Sequence, residues 1–263
     1  MNPLPLVTSL SNPTVKEARA LRQRKGRSQT GLFVVEGLHH VGEVLETDWE
    51  IEILLYSPDL LTSDFGRELI ERAARLRVRL QPVSPKVMES LAEKDNPQGI
   101  LAIVRQREWG FGAFSKARSM VALVSPQDPG NLGAVLRTID GIGADGLWVL
   151  DGGVDLYHPT VVRASMGTLF WKPVVQASFA EFVAWADTHG VQLIGTSAHA
   201  ELDYRAIAPR EPWALVMGSE QKGLSKEQIS NLSTIVSLPM RGRASSLNLA
   251  VATGILLYAL KAG

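Results

Sequence analysis

The hydrophobic positions of this chain change rhythm partway along it. In the first part, short apolar runs alternate with polar turns and helical stretches. Ser11 or Asn12 followed by Pro13 marks a helix start: a side-chain oxygen can accept a free N–H there, and proline loses nothing in the first turn. The helix so begun runs into a polar loop, Lys25 to Gly31. Phe33-Val34-Val35 reads as a short buried strand, Glu36-Gly37 as the turn into a helix through Leu45, and Ile51 to Tyr56 as a further strand. Phe65 to Leu76 has helical spacing. Val78 and Leu80 alternate with Arg77 and Arg79, as in a half-exposed strand, and Ile100 to Val104 closes this unit.

From Arg105 to Ser119 the chain is charged, contains glycine and shows no apolar period, which predicts a linker. The expected division is a first domain over 1–105, a linker over 106–119 and a second domain over 120–263. In the second part, apolar runs at Val121–Val124, Leu147–Leu150, Val174–Val175, Gln192–Gly195, Ala214–Met217 and Ile235–Leu238 alternate with helical stretches. Parallel strands need crossovers, usually helices, so this alternation predicts an α/β fold with a parallel sheet covered on both faces. Ligands in such sheets sit beyond the carboxyl ends of strands. The last helix, Leu247 to Leu260, is strongly apolar and sets Leu247, Val251, Ile255 and Tyr258 near one face.

Composition narrows the classes. The 263 residues are 45% hydrophobic, which suits one large or two modest domains, and the formal net charge is zero. Whole-molecule attraction to nucleic acid is therefore not expected. Locally the balance differs: Lys16, Arg19, Arg22, Arg24, Lys25 and Arg27 stand against the single acid Glu17. That cluster suits neutralisation of RNA phosphates, and it equally suits a solvated helix face. Without cysteine, disulfide and thiol chemistry is excluded. Met1 to Leu10 lacks a basic n-region and a cleavage pattern, so no signal peptide is expected. The longest apolar run, Val251 to Leu260, falls short of the ~20 residues that span a bilayer. A soluble cytoplasmic protein is the expectation. His39, His40, His158, His189 and His199 show no metal-ligand spacing, and neither a G-x-S-x-G elbow nor a P-loop occurs.

The candidate chemistry lies in three segments that follow predicted strands. Ser125 to Gly133 leads into a helix on which Leu132, Val135, Leu136 and Ile139 share one face and Arg137 points away. An arginine opposite a core face is most often simply solvated; here it projects from a helix whose loop is rich in Asn, Gly and Pro. Met217 to Ser225 has two glycines that permit close backbone approach, a Glu220 able to orient a donor, and Ser225 as a helix cap. Taken alone it is an ordinary strand-to-helix turn. Leu238 to Asn248 ends in Ser245 or Ser246 as a cap, or as polar recognition groups before an apolar helix. A fourth pattern is rejected. Gly141 to Gly146 matches G-x-G-x-x-G, but its helix precedes and its strand follows, the reverse of a dinucleotide fingerprint. It is a helix stop, and a nicotinamide-dependent oxidoreductase fails with it.

In order and position, the three segments resemble the motifs of the SpoU/TrmH family of RNA ribose methyltransferases: Asp128-Pro129-Gly130-Asn131-Leu132-Gly133 through Arg137, Gly218-Ser219-Glu220 with Gly223-Leu224-Ser225, and Pro239-Met240 with Ser246-Leu247-Asn248. The first part resembles the family's substrate-binding module, with a fold similar to ribosomal protein L30e, through Thr8-Ser9, Asn12-Pro13, Phe33 to Gly37 and Pro97 to Ile100. The resemblance implies an α/β parallel-sheet domain tied in a deep trefoil knot, a smaller L30e-like α/β domain before it, and a homodimer through the C-terminal domain. It also implies S-adenosylmethionine held against Gly218, Leu238 and Leu247, with Thr196, Ser197 and Met240 nearby. No membrane partner is expected, because no apolar run is long enough to span a bilayer. The implied reaction methylates a ribose 2′-hydroxyl, in 23S ribosomal RNA ahead of transfer RNA. Arg137 is its central catalytic residue, with Asn131, Glu220, Ser246 and Asn248 shaping the site. The basic cluster from Lys16 to Arg27 is expected to meet the RNA. Ser245 stands where some relatives carry an acid, which weakens any carboxylate base there. Arg163 suits contact with RNA or a partner subunit, and equally a surface salt bridge. The alternative is a non-catalytic RNA-binding or ribosome-assembly protein that keeps the fold.

Overall fold

The computed structural model describes residues 4–93 and 96–262. Met1–Pro3, part of the stretch read for a signal peptide, lie outside the described residues. The chain forms two compact units, Met1–Arg107 with Tyr157–Phe170 and Glu108–Leu156 with Trp171–Gly263.

The first unit runs α1 (Pro13–Ala20), α2 (Arg24–Thr30), β1 (Leu32–Glu36), α3 (Leu38–Leu45), β2 (Ile51–Tyr56), α4 (Asp64–Arg75), β3 (Leu80–Pro82), α5 (Pro85–Leu91) and β4 (Ile100–Arg105). Asn12 caps α1 by accepting the Thr14 N–H at 2.9 Å. The sheet order is β1-β4-β2-β3, antiparallel except for the β2/β3 pair. The stretch read as a polar loop is instead α2. It has no apolar spacing for periodicity to find, and tertiary contacts hold it. Arg27, only 2% exposed, donates to the carbonyls of Leu21 at 2.7 Å and Arg22 at 2.8 Å. At Gly26 a Cβ would stand 2.2 Å from the Ala20 oxygen, so only glycine allows α1 and α2 to approach this closely. Tyr157–Phe170, which sequence order assigns to the second part, joins this unit through aromatic packing. Phe33 lies 4.6 Å from the Tyr157 ring, and the Trp49 indole N–H donates to the Phe170 carbonyl at 3.1 Å.

Beyond β4 come β5 (Ser119–Val124), α6 (Pro129–Ile142), β6 (Gly146–Leu150), α7 (Pro159–Ala164), α8 (Thr168–Trp171), β7 (Val174–Ala177), α9 (Phe179–Thr188), β8 (Gln192–Thr196), β9 (Leu202–Asp203), β10 (Trp213–Met217), α10 (Lys226–Ser230), β11 (Thr234–Ser237) and α11 (Leu249–Ala262). The seven strands, in order β7-β6-β5-β10-β8-β11-β9, are parallel throughout. Every strand expected from the apolar runs is present. The two-residue β9 is too short to leave a pattern. α6 ends at Gly143, with φ 68°, and β6 follows, so Gly141 to Gly146 is indeed a helix stop. Part of the expected linker is packed into the unit: Phe111–Phe114 form one 3-10 turn, too short to show a period, and Phe114 is 2% exposed. The rings of Phe111, Phe114, Phe182 and Trp185 surround buried Trp148 at 4.9–5.2 Å between centroids. Among the described residues, no helix is long and apolar enough to cross a membrane.

Candidate functional site

The segments that follow β8, β10 and β11 meet at the carboxyl edge of the parallel sheet. With Asn131 of α6 and one face of α11 they enclose a cavity of about 760 Å³. Strand ends leave backbone groups without ladder partners, which is why such edges collect polar loops.

Glu220 organises the polar wall. Its carboxylate accepts the backbone N–H groups of Gln127 at 3.2 Å and Asp128 at 3.4 Å, and the Asn131 carboxamide N–H at 3.3 Å. The Asn131 oxygen accepts from the Asn248 carboxamide at 2.8 Å. The Asn248 oxygen in turn accepts from the N–H groups of Ala250 at 2.9 Å and Val251 at 3.3 Å, capping α11. Asp128 caps α6 by accepting the Asn131 N–H at 2.7 Å. The three motif segments are thus one hydrogen-bonded chain anchored on two helix N-termini, where the macrodipole favours the Glu220 and Asp128 charges. Gly218 has a steric reason to be glycine: a Cβ there would lie 2.2 Å from the Gly223 carbonyl carbon and 2.4 Å from the Leu224 nitrogen.

Of the residues named from sequence, Asn131, Glu220, Ser246 and Asn248 line the cavity, together with Thr196, Ser197, Gly218, Leu238, Met240 and Leu247. Arg137 does not. It is exposed on α6, and its side chain makes no hydrogen bond or ion pair with the described residues. Six residues beyond Asn131, it stands about 9 Å farther along the helix and on another face. Sequence reasoning missed Ile229, Ala252 and Leu256, which supply apolar wall from helices. Nothing in their local spacing distinguishes lining from core.

The basic cluster divides. Lys16, Arg19, Arg24 and Lys25 are exposed, whereas half-buried Arg22 donates to the carbonyls of Leu91 and Ala92. Arg27 is buried under its own carbonyl partners and cannot meet RNA, a correction to its expected role. Arg163, on α7, pairs with Glu93 at 2.8 Å, so the salt-bridge reading holds for it.

The fold and cavity define an α/β protein that takes a small ligand at the carboxyl edge of a parallel sheet, under loops tied together by carboxamides. Residues 118–258 match the SpoU rRNA Methylase family, and residues 12–102 match the MRM3-like substrate binding domain. This chain belongs to the SpoU rRNA Methylase family. It is 30% identical over 256 residues to the Bacillus subtilis 23S rRNA (guanosine(2553)-2′-O)-methyltransferase RlmP, covering 97% of this chain and 98% of that protein. The AdoMet-bound rRNA methyltransferase from Sinorhizobium meliloti is 36% identical, with a TM-score of 0.89 over 98% of this chain and 97% of that one. The SpoU methyltransferase AviRb from Streptomyces viridochromogenes, solved in complex with the cofactor AdoMet, is 30% identical, with a TM-score of 0.85 over 95% of this chain and 97% of that one.

Proposed function

We propose that this protein methylates a ribose 2′-hydroxyl of RNA, with 23S ribosomal RNA as substrate and S-adenosylmethionine as methyl donor. The observation that carries this reading is the hydrogen-bonded chain Glu220–Asn131–Asn248 closing one cavity from three separate segments. The cavity fits the cofactor. Its volume lies in the usual range for ligands of that size, and it offers apolar side chains of Leu224, Leu238 and Leu256 for a purine beside the hydroxyls of Thr196 and Ser197. Along Met240–Leu247 the backbone N–H and C=O groups have no partners among the described residues, and they are available to a ligand.

When bound, the cofactor supplies an electrophilic methyl group for in-line displacement. The chain's part is to bind, align and stabilise charge. Gly218, Leu238, Met240 and Leu247 hold the cofactor through backbone groups and apolar contact, and Thr196 and Ser197 offer hydroxyls. Asn131, Glu220, Ser246 and Asn248 keep the walls in register, and holding the reacting atoms about 3–3.5 Å apart supplies much of the acceleration. Arg137 grips an RNA phosphate and stabilises charge developing on the 2′-oxygen. A guanidinium is always protonated and does not serve as a simple base.

Two further features belong to this reading. On α11, which begins at Leu249 rather than at the expected Leu247, Val251, Ile255 and Tyr258 are 39–53% exposed while Ala252 and Leu256 line the cavity, which supports a homodimer through this face. Leu247 precedes the helix and itself lines the cavity. A trefoil knot in the C-terminal sheet domain belongs to the same reading, and the packing of α11 on α6 and β10 is compatible with it.

The test is transfer of a tritiated methyl group to unmodified 23S ribosomal RNA, with transfer RNA in parallel. Wild-type protein labels the ribosomal RNA at ribose, and Arg137→Ala loses at least about a hundredfold in turnover with cofactor affinity nearly intact. Labelling of transfer RNA alone overturns the substrate, absence of any transfer overturns the activity, and a wild-type rate in the variant overturns the role of Arg137.

A further inference from the structure

The cavity wall and the loop that borders it carry cations that neither the motifs nor the polar wall employ. Lys222 lines the cavity from the loop after β10. Arg241 and Arg243 flank Gly242 in the exposed loop after β11, between the lining residues Met240 and Ser245. None of the three side chains makes a hydrogen bond or ion pair with the described residues. Nearby acids are already occupied. Glu220 is held by two backbone N–H groups and Asn131. Asp203, whose carboxyl is held down to about 2, accepts Arg205 Nε at 2.8 Å and Nη2 at 2.6 Å along with the Arg205 backbone N–H, and feels Arg241 only at longer range. The bidentate partner of Asp203 is therefore Arg205, which leaves the Arg241 guanidinium without an acceptor. In a chain of zero net charge, one uncommitted cation lining the cavity and two more in the exposed loop between its lining residues Met240 and Ser245 form a local cluster of positive charge able to bind anions.

We propose that Lys222, Arg241 and Arg243 grip backbone phosphates of the RNA on either side of the ribose presented to the cavity. This rests on the methyltransferase reading above. The cluster acts on substrate: it orients the strand by charge and carries no base specificity, because phosphate contacts set register while base edges set sequence. An exposed loop with arginines on both sides of a glycine suits such a role, since each guanidinium can follow the strand independently.

The experiment uses full-length protein and the triple variant Lys222→Gln/Arg241→Gln/Arg243→Gln, which keeps side-chain bulk and removes charge. Binding of a fluorescein-labelled single-stranded RNA of mixed sequence is followed by anisotropy across a potassium chloride series, and S-adenosylmethionine binding by calorimetry. The expected result is a slope of log affinity against log salt shallower by about 0.7 for each phosphate no longer neutralised, a raised KM for RNA with kcat little changed, and unaltered cofactor affinity. An unchanged salt slope overturns the role of the cluster, as does a loss confined to S-adenosylmethionine binding, which assigns the cations to the cofactor carboxylate instead. Since the isotherm needs no turnover, a wild-type protein that binds this RNA but methylates none sinks the enzymatic reading while the slope still decides the role of the cluster.

Discussion

The two units use polar side chains in opposite ways. In the first, arginines are spent on backbone: Arg27 is buried beneath two carbonyls and Arg22 ties the turn between α1 and α2 to the end of α5, while Lys16, Arg19, Arg24 and Lys25 are exposed. In the second, carboxamides and a carboxylate are spent on one another, joining three strand-end loops around a cavity. The first arrangement builds a small scaffold with charge on its outside, where each cation acts nearly independently. The second builds a site in which each group holds the next. Loss of charge in the first unit should be graded and salt-dependent, whereas loss of one link in the second should be felt across the whole site.

That contrast can be broken at its strongest point by Arg27→Met. If the buried guanidinium is structural, its loss destabilises the first unit by about 3 kcal/mol, since two charge-assisted bonds go and two backbone carbonyls, one buried and one part-buried, lose a donor. Chemical denaturation reads this directly, and a fully stable variant with weakened RNA binding would return Arg27 to the RNA-facing set. Asn131→Ala tests the second unit. It removes a bond to Glu220 and a bond from Asn248, about 1 kcal/mol each, so kcat/KM falls by about 30-fold and cofactor affinity falls with it. Steady-state kinetics with calorimetry checks this, and a drop in kcat/KM with unchanged cofactor affinity would show that the segments do not act as a unit. The smallest effect is expected for Arg24→Gln/Lys25→Gln: a few-fold weaker RNA binding near physiological salt that vanishes at high salt. A loss that persists at high salt would mean these residues are structural after all.

Much of the fold was legible from spacing. The central strands β5, β6 and β10 are apolar runs bounded by turn residues, because a strand buried on both faces has no polar alternation to hide it, and shorter apolar runs mark β7, β8 and β11. The helix stop at Gly143 was readable for a local reason, since only a residue tolerant of positive φ ends the helix that way. Elements without an apolar period were not readable. α2 exists because Arg27 and Gly26 fit against the end of α1, and the turn at Phe111–Phe114 exists because its rings pack around Trp148. The same limit applied to Tyr157–Phe170, whose allegiance to the first unit depends on partners as distant in sequence as Phe33.

For the site, sequence alone determined which segments follow strand ends and which polar residues they carry, because local composition and strand order are written in the chain. Tertiary structure decided the rest. It joined Glu220 to Asn131 and Asn131 to Asn248, drew Ile229, Ala252 and Leu256 into the wall, left Arg137 exposed outside the cavity, and withdrew Arg27 from the surface. The physical reason is the same in each case. Hydrogen bonds and burial between separate elements, whether distant in the chain as at Asn131–Asn248 or adjacent as where Arg27 of α2 meets the end of α1, depend on where strands and helices meet in space, and no periodicity within a single element records that meeting.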